Sequence, residues 1–144
     1  MISEEILLSQ YLDLSSKVKQ KKACGVVSLL MLMRFINSGR PELEIKLPDL
    51  EELYQKGIEH GYYLQGIGWS HNGLAALARA YGFKKSQNFD LAGVPDNQAR
   101  QKLSQSLKLN PVIASIWSGY QRGKGGHLIV LLGLSTDWAV VLDP

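Results

Sequence analysis

One cysteine occurs among the 144 residues, and it lies where a long apolar run begins. Cys24 follows Lys21 and Lys22. If a helix begins near Cys24, the helix dipole and free backbone N–H groups favour a thiolate there, and the lysines act in the same direction. Such surroundings commonly bring a thiol pKa from about 8.5 to between about 3.5 and 7.5. Cys24 is therefore either an activated nucleophile or a small buried side chain.

A nucleophilic cysteine needs a base, and the sequence offers three histidines. His60 stands at a predicted helix end, where a cation is favourable, and His71 stands near a predicted helix start, as a cap or a solvated side chain. His127 differs because it follows a glycine-rich loop and begins an apolar strand. A polar ring at the mouth of a buried strand suits a place beside a cleft. His127 is therefore the candidate base.

Asp143 is the candidate partner of His127. The apolar runs 128–134 and 138–142 predict a hairpin buried on both faces. A three-residue turn pairs His127 with Asp143, at about 5 Å between Cβ atoms, and a two-residue turn sets His127 against Pro144. In both registers Asp143 is a cross-strand neighbour that orients the imidazole and stabilises its charged form. The alternative is an ordinary acidic residue at a strand end.

Gln20 lies about one helical turn before Cys24. The oxygen of a tetrahedral intermediate needs hydrogen-bond donors, and the Cys24 backbone N–H at a helix start is one. The Gln20 amide is a candidate for another. The alternative is a solvent-exposed glutamine in a basic loop.

These residues need a scaffold of helices followed by strands. Apolar periodicity and caps predict helices over 4–14, from Cys24 to about 36, from Asp49, from Ser70 or Asn72, and from Asp96 to Leu107. Residues 15–22 and 62–68 are predicted loops. The helix after Cys24 has little polar face, so we expect it to be central and buried. A strand over 112–117 and the hairpin follow. Helices first and an antiparallel sheet afterwards predict the α+β class.

Composition limits the function further. Residues 1–144 have the size of a single domain, with 45% hydrophobic and 20% charged residues. A net charge of +3 without a long basic block argues against nucleic-acid binding. One cysteine makes no internal disulfide or Cys-based zinc site, and together with the absence of a signal peptide this predicts a cytoplasmic protein. No apolar run is long enough to span a membrane. No histidine spacing indicates a metal, and no cofactor is predicted.

The order of these features resembles the papain-like cysteine peptidases, most of all the bacteriocin-processing, double-glycine leader peptidases and their stand-alone relatives. The matching segments are ACGVVSLL at 23–30, GHLIVLLG at 126–133 and VVLDP at 140–144. Residues 70–83 also resemble the family's middle helix, so the likeness covers most of the chain. It implies a papain-like fold, in which N-terminal helices, among them the central buried helix, pack on a C-terminal antiparallel sheet.

The resemblance implies Cys24 as nucleophile, His127 as general base and then acid, Asp143 as orienter and Gln20 as oxyanion donor. The predicted function is that of a thiol-dependent peptidase, a hydrolase that cuts peptide or protein substrates after small residues such as the glycines of leader peptides. A transporter-associated domain is one setting that it implies. Two alternatives stay open: a non-catalytic papain-like module that binds peptide, and a thiol acyl-transfer enzyme such as an amidase or transpeptidase.

Three aromatic residues and one loop are predicted to surround the cleft. Trp69, Trp117 and Tyr120 are candidates for its walls, although large aromatic side chains are more often part of a core. The glycine-rich loop before His127 lacks the GK[ST] ending of a phosphate loop. It is better interpreted as a flexible gate beside His127.

Overall fold

The computed structural model describes residues 2–144, which form five α-helices and two small antiparallel sheets, as the α+β prediction requires. The helices are α1 (Lys17–Gln20), α2 (Cys24–Gly39), α3 (Leu50–Glu59), α4 (His71–Ala80) and α5 (Asp96–Leu107). The strands are β1 (Tyr63–Leu64), β2 (Gly68–Trp69), β3 (Val112–Trp117), β4 (Gly126–Leu134) and β5 (Ala139–Leu142). Short 3₁₀ helices cover Pro41–Leu43 and Ser118–Tyr120.

Helix α2 lies at the centre of the core. Val26, Leu30 and Met31 expose no surface, and the helix packs on β4 and against α3 and α4. Fully burying side chains of this size contributes about 1.5–3 kcal/mol each. The prediction of a central buried helix that begins at Cys24 is confirmed. Within residues 2–144, no helix combines the length and the apolar character needed to cross a membrane.

Helices α3 and α4 begin at the caps that the sequence predicts. The Asp49 carboxylate accepts a hydrogen bond from the Glu52 N–H at 2.8 Å, and the Ser70 hydroxyl accepts one from the Gly73 N–H at 3.2 Å. Each cap satisfies a backbone donor that the first helical turn leaves free. Both helices are followed by a glycine with positive φ, a common way for a helix to end.

The N-terminal segment differs from its prediction. Residues 4–14 form turns rather than a helix, and the predicted loop over 15–22 contains α1. Ile6 and Leu14 are still buried, and the Gln10 amide donates to the Gln20 carbonyl at 2.8 Å. Tertiary contacts hold this segment, and they override its local periodicity. The predicted loop over 62–68 likewise contains the β1–β2 hairpin.

The larger sheet has the strand order β3–β4–β5. Strand β3 pairs with β4 so that Ile116 lies opposite His127. The prediction that the β4–β5 hairpin is buried on both faces is wrong for β5, because β5 is an edge strand in which Ala139 and Val140 are exposed. The centre of β4 is buried as expected.

The connection between β4 and β5 is longer than either predicted turn. Leu134 pairs with Ala139, which leaves residues 135–138 as a four-residue turn, closed by a 2.9 Å hydrogen bond from the Ser135 N–H to the Trp138 carbonyl. Leu132 has no partner on β5, so the pairing shifts by one residue at a β-bulge. Both predicted hairpin registers are therefore wrong.

Candidate functional site

His127 and Asp143 form a close pair at the exposed end of the sheet. The His127 Nε2 atom lies 2.6 Å from the Asp143 Oδ1 atom. Their side chains are 20% and 46% exposed, so water reaches the carboxylate more freely than the ring. A carboxylate accepts hydrogen bonds, so this contact places the hydrogen of a neutral imidazole on Nε2. The Nδ1 atom is then free to act as a base.

The pair forms diagonally across the hairpin. Val130 lies opposite Leu142, and continuing this register by one residue places Asp143 opposite Ile129. His127 is therefore the diagonal neighbour of Asp143, at a typical Cα separation of about 7–8 Å that long side chains can bridge. The sequence predicted the partner correctly from a wrong register, because both the direct and the diagonal geometries allow the contact.

Cys24 is the first residue of α2 and is partly buried. Burial raises the pKa of its thiol, and the negative charge of Asp143 raises that pKa further. Hydrogen bonds from the backbone of Leu128 and Gly25 act in the opposite direction, because N–H donors stabilise a thiolate. Burial is the largest of these effects, so the predicted lowering of the pKa is wrong for the thiol of this structure.

The neighbouring lysines do not offset the effect of burial on the Cys24 pKa. The Lys22 ammonium lies over the ring of Tyr63, 5.4 Å from its centroid, and the Lys21 side chain is exposed. Neither lysine is among the groups that shift the pKa of Cys24. The backbone N–H donors are therefore what favours the thiolate here.

Ser28 connects α2 to β4 beside the candidate nucleophile. It is fully buried, and its hydroxyl donates to the Leu128 carbonyl at 2.9 Å. The backbone of Leu128 also stabilises the thiolate of Cys24, which lies four residues before Ser28 and on the same helix face. Ser28 thus binds the backbone of Leu128, the residue directly after His127 and the one whose backbone acts to lower the thiol pKa of Cys24. Sequence reasoning missed Ser28, although a lone hydroxyl in an apolar helical run was a usable signal.

Gln20 binds the N-terminal segment through its side-chain amide. Its Nε2 atom donates to the Leu14 carbonyl at 2.8 Å, and its own carbonyl accepts a hydrogen bond from Gln10. The role of Gln20 as an oxyanion donor stays a prediction. The backbone N–H of Cys24 is the better supported donor, because the first N–H groups of a helix have no acceptor within it.

The three predicted cleft aromatics have different positions. Trp69 is 5% exposed and belongs to the core, so the prediction that it lines a cleft is wrong. A Cβ atom on Gly25 would lie 2.7 Å from the Trp69 ring, so a glycine after Cys24 lets the indole pack against α2. Trp117 and Tyr120 are half or more exposed, and Trp117 lies opposite Gly126, next to His127.

The other histidines lie directly after α3 and at the start of α4. The His60 Nδ1 atom is 2.8 Å from the Lys56 carbonyl at the end of α3, and His71 is an exposed residue at the start of α4. Across residues 2–144, no three side chains of the types that bind metals are grouped as a metal site. Comparisons with protein-family models, with curated proteins and with solved structures find no match to this chain.

Proposed function

We propose that this chain is a thiol-dependent peptidase of papain-like arrangement, with Cys24, His127 and Asp143 as its triad. The observation that carries this proposal is the 2.6 Å His127–Asp143 pair directly before Leu128, whose backbone stabilises the Cys24 thiolate. A nucleophile, a base and an orienting carboxylate are the three groups that acyl transfer through a thiol needs.

The reaction begins when the Cys24 Sγ atom attacks the carbonyl carbon of a bound peptide. His127 Nδ1 accepts the thiol proton, and the charge on the imidazolium is stabilised by Asp143 at Nε2. The Cys24 backbone N–H donates to the developing oxyanion. His127 then gives its proton to the leaving amine as the C–N bond breaks, which leaves a thioester on Cys24. Water, deprotonated by His127, releases the acid and restores the thiol.

The raised pKa of Cys24 determines the timing of the first proton transfer. Burial and the nearby Asp143 charge keep the sulfur protonated in the free protein at neutral pH. His127 therefore removes the proton as the substrate arrives, by general-base catalysis, instead of maintaining a thiolate beforehand. Substrate bound over Cys24 also displaces water from the sulfur, which strengthens the interaction of the sulfur with the Leu128 and Gly25 donors.

The proposed substrates are peptides with small residues, often glycine, before the cut. Resemblance to the leader peptidases suggests this class. A partly buried nucleophile supports it, because a side chain of little bulk allows the carbonyl carbon to approach the sulfur. The resemblance also suggests that this domain works in association with a transporter.

Two observations favour a second candidate, the non-catalytic module that binds peptide. The Cys24 pKa is raised, and the Gln20 amide is engaged by Leu14. A site with an unreactive thiol and one oxyanion donor fewer would hold a peptide without cutting it.

The test is incubation of the protein with peptides that contain a Gly-Gly pair, followed by mass spectrometry of the products. We expect a single cut after the glycines in wild type and none in Cys24→Ala, with Ser38→Ala on the exposed end of α2 as a matched control that keeps activity. Peptide binding by both wild type and Cys24→Ala, without any cleavage, would establish the binding module instead. Products joined to an added amine would indicate acyl transfer.

A further inference from the structure

The segment before His127 is a closed loop with an unusual backbone. The Ser118 N–H donates to the Gly125 carbonyl at 2.8 Å, which closes residues 118–125. Gly119 has φ +61° and Tyr120 has φ +58°. Glycine adopts this region freely, whereas a bulky side chain such as tyrosine is strained there. Strained residues of this kind cluster at functional sites, so the contact that the tyrosine makes is informative.

Tyr120 makes its contact with the orienting carboxylate. Its hydroxyl lies 3.5 Å from the Asp143 Oδ2 atom, whereas His127 holds the Oδ1 atom. Asp143 follows the last residue of β5 and therefore lacks the ladder that fixes a strand residue. Its carboxylate thus has a partner on each oxygen. Partial burial raises the pKa of Tyr120, and the charge of Asp143 and the hydrogen bond to it raise that pKa further, so the hydroxyl stays a donor over a wide pH range.

We infer that Tyr120 is a positioning residue, whose hydroxyl holds the Asp143 carboxylate so that its other oxygen faces His127 Nε2. The inference rests on the proposed function. Without this second contact, the half-exposed carboxylate can rotate into water, and the imidazole then loses the partner that holds its Nε2 atom. The left-handed conformation at Tyr120 is the means by which a short loop directs the phenol back over the sheet end.

Proton NMR tests the inference without requiring any activity. A short N–H···O⁻ hydrogen bond gives a downfield ring proton that exchanges slowly with water. We expect this signal from His127 in wild type, and a three- to tenfold faster exchange, as an order of magnitude, in Tyr120→Phe. Tyr11→Phe removes the hydroxyl of another exposed tyrosine and is the matched control. Gly119→Ala keeps the phenol but disfavours the loop conformation, so it should also speed exchange.

Peptide cleavage gives the second readout. In Tyr120→Phe we expect kcat to fall by roughly threefold to tenfold with KM unchanged, because the hydroxyl contacts the carboxylate and not the peptide. Exchange and kcat equal to wild type in Tyr120→Phe would overturn the inference, as would a wild-type protein without the downfield signal. If the chain cuts no peptide, the proposed peptidase function fails, while the exchange rates still decide whether Tyr120 holds Asp143.

Discussion

The two sides of the candidate site are held in opposite ways. Cys24 is fixed by the core, since α2 is buried from Gly25 to Met31 and Ser28 bonds it to β4. Asp143 is fixed at the surface by His127 and Tyr120, with almost half of its side chain exposed. Moving Cys24 would therefore disturb the core and lower the free energy of unfolding. Moving the Asp143 carboxylate would change that free energy little, so its position depends on the contacts with His127 and Tyr120.

The largest effect that separates the two sides is expected at Asp143. Asp143→Asn keeps the shape but removes the charge that stabilises the imidazolium, so cleavage should slow about a hundredfold. Its free energy of unfolding should change by less than about 1 kcal/mol, because the pair is partly exposed. Steady-state kinetics and urea unfolding on the same preparation measure both. A loss of several kcal/mol in the free energy of unfolding would mean that Asp143, like Cys24, is essential to the stability of the fold.

Ser28 gives the opposite pattern. Ser28→Val leaves the buried Leu128 carbonyl without a donor, whereas Ser28→Thr adds the same bulk and keeps the hydroxyl. We expect the valine variant to be less stable than the threonine variant by about 1–3 kcal/mol. Urea titrations of the two variants test this difference directly. Equal stabilities would mean that the hydroxyl is not what holds the helix to the strand.

The reactivity of the Cys24 thiol at different pH values tests the effect of its burial. At neutral pH, iodoacetamide should modify Cys24 more slowly in the native protein than in urea, because burial raises the thiol pKa. The chain has one cysteine, so the total rate reports this site alone. Faster modification of the native form at mildly acidic pH would instead reveal a thiolate–imidazolium pair formed in advance.

The same shift predicts a change in stability at alkaline pH. Below about pH 8.5 the thiol is protonated in both the folded and unfolded states, and its ionisation costs the fold nothing. Above that pH the unfolded chain loses the proton first, so the free energy of unfolding should fall relative to Cys24→Ala until the folded thiol also ionises. Urea unfolding of both proteins from pH 7 to 10 measures this divergence.

The smallest effect is expected where α1 meets α3. Lys19 forms an ion pair with Glu51 at 2.5 Å and lowers the pKa of that carboxyl. Because the two side chains are 31% and 41% exposed, Lys19→Met should cost no more than about 0.5 kcal/mol at pH 7. A carboxyl with a lowered pKa stabilises the fold above its unfolded value of about 4.3, and this contribution disappears as the pH falls through the folded value. Unfolding at pH 7 and pH 3 tests both statements.

The elements that the sequence predicted well are those that local chemistry determines. Helix α5 and strand β3 have the predicted bounds, and α3 and α4 start at their predicted caps. The turns over 4–14 were missed because their apolar residues have helical spacing but are held by distant contacts. The four-residue turn was missed because Trp138, which is 58% exposed, was counted as part of an apolar strand.

The candidate site was predictable to the extent that side chains define it. His127 and Asp143 stood out as polar residues that border apolar strands, and the structure pairs them. The contribution of Leu128 is a backbone one, and any residue type supplies that hydrogen bond, so sequence gives no sign of it. The direction of the Cys24 pKa shift depends on how deeply the sulfur is packed, which one helix pattern cannot show.

The bulge at Leu132 determines whether Asp143 lies on the same face of the sheet as His127. Directly opposed residues of antiparallel strands point to the same side, and successive residues alternate. The shift at Leu132 places Asp143 opposite Ile129, on the side of His127; without it the carboxylate would be opposite Val130 and point the other way. The extra residue at Leu132 therefore sets the side on which the carboxylate lies, and a change in the length of the 135–138 turn that leaves the strand pairing intact does not alter that side.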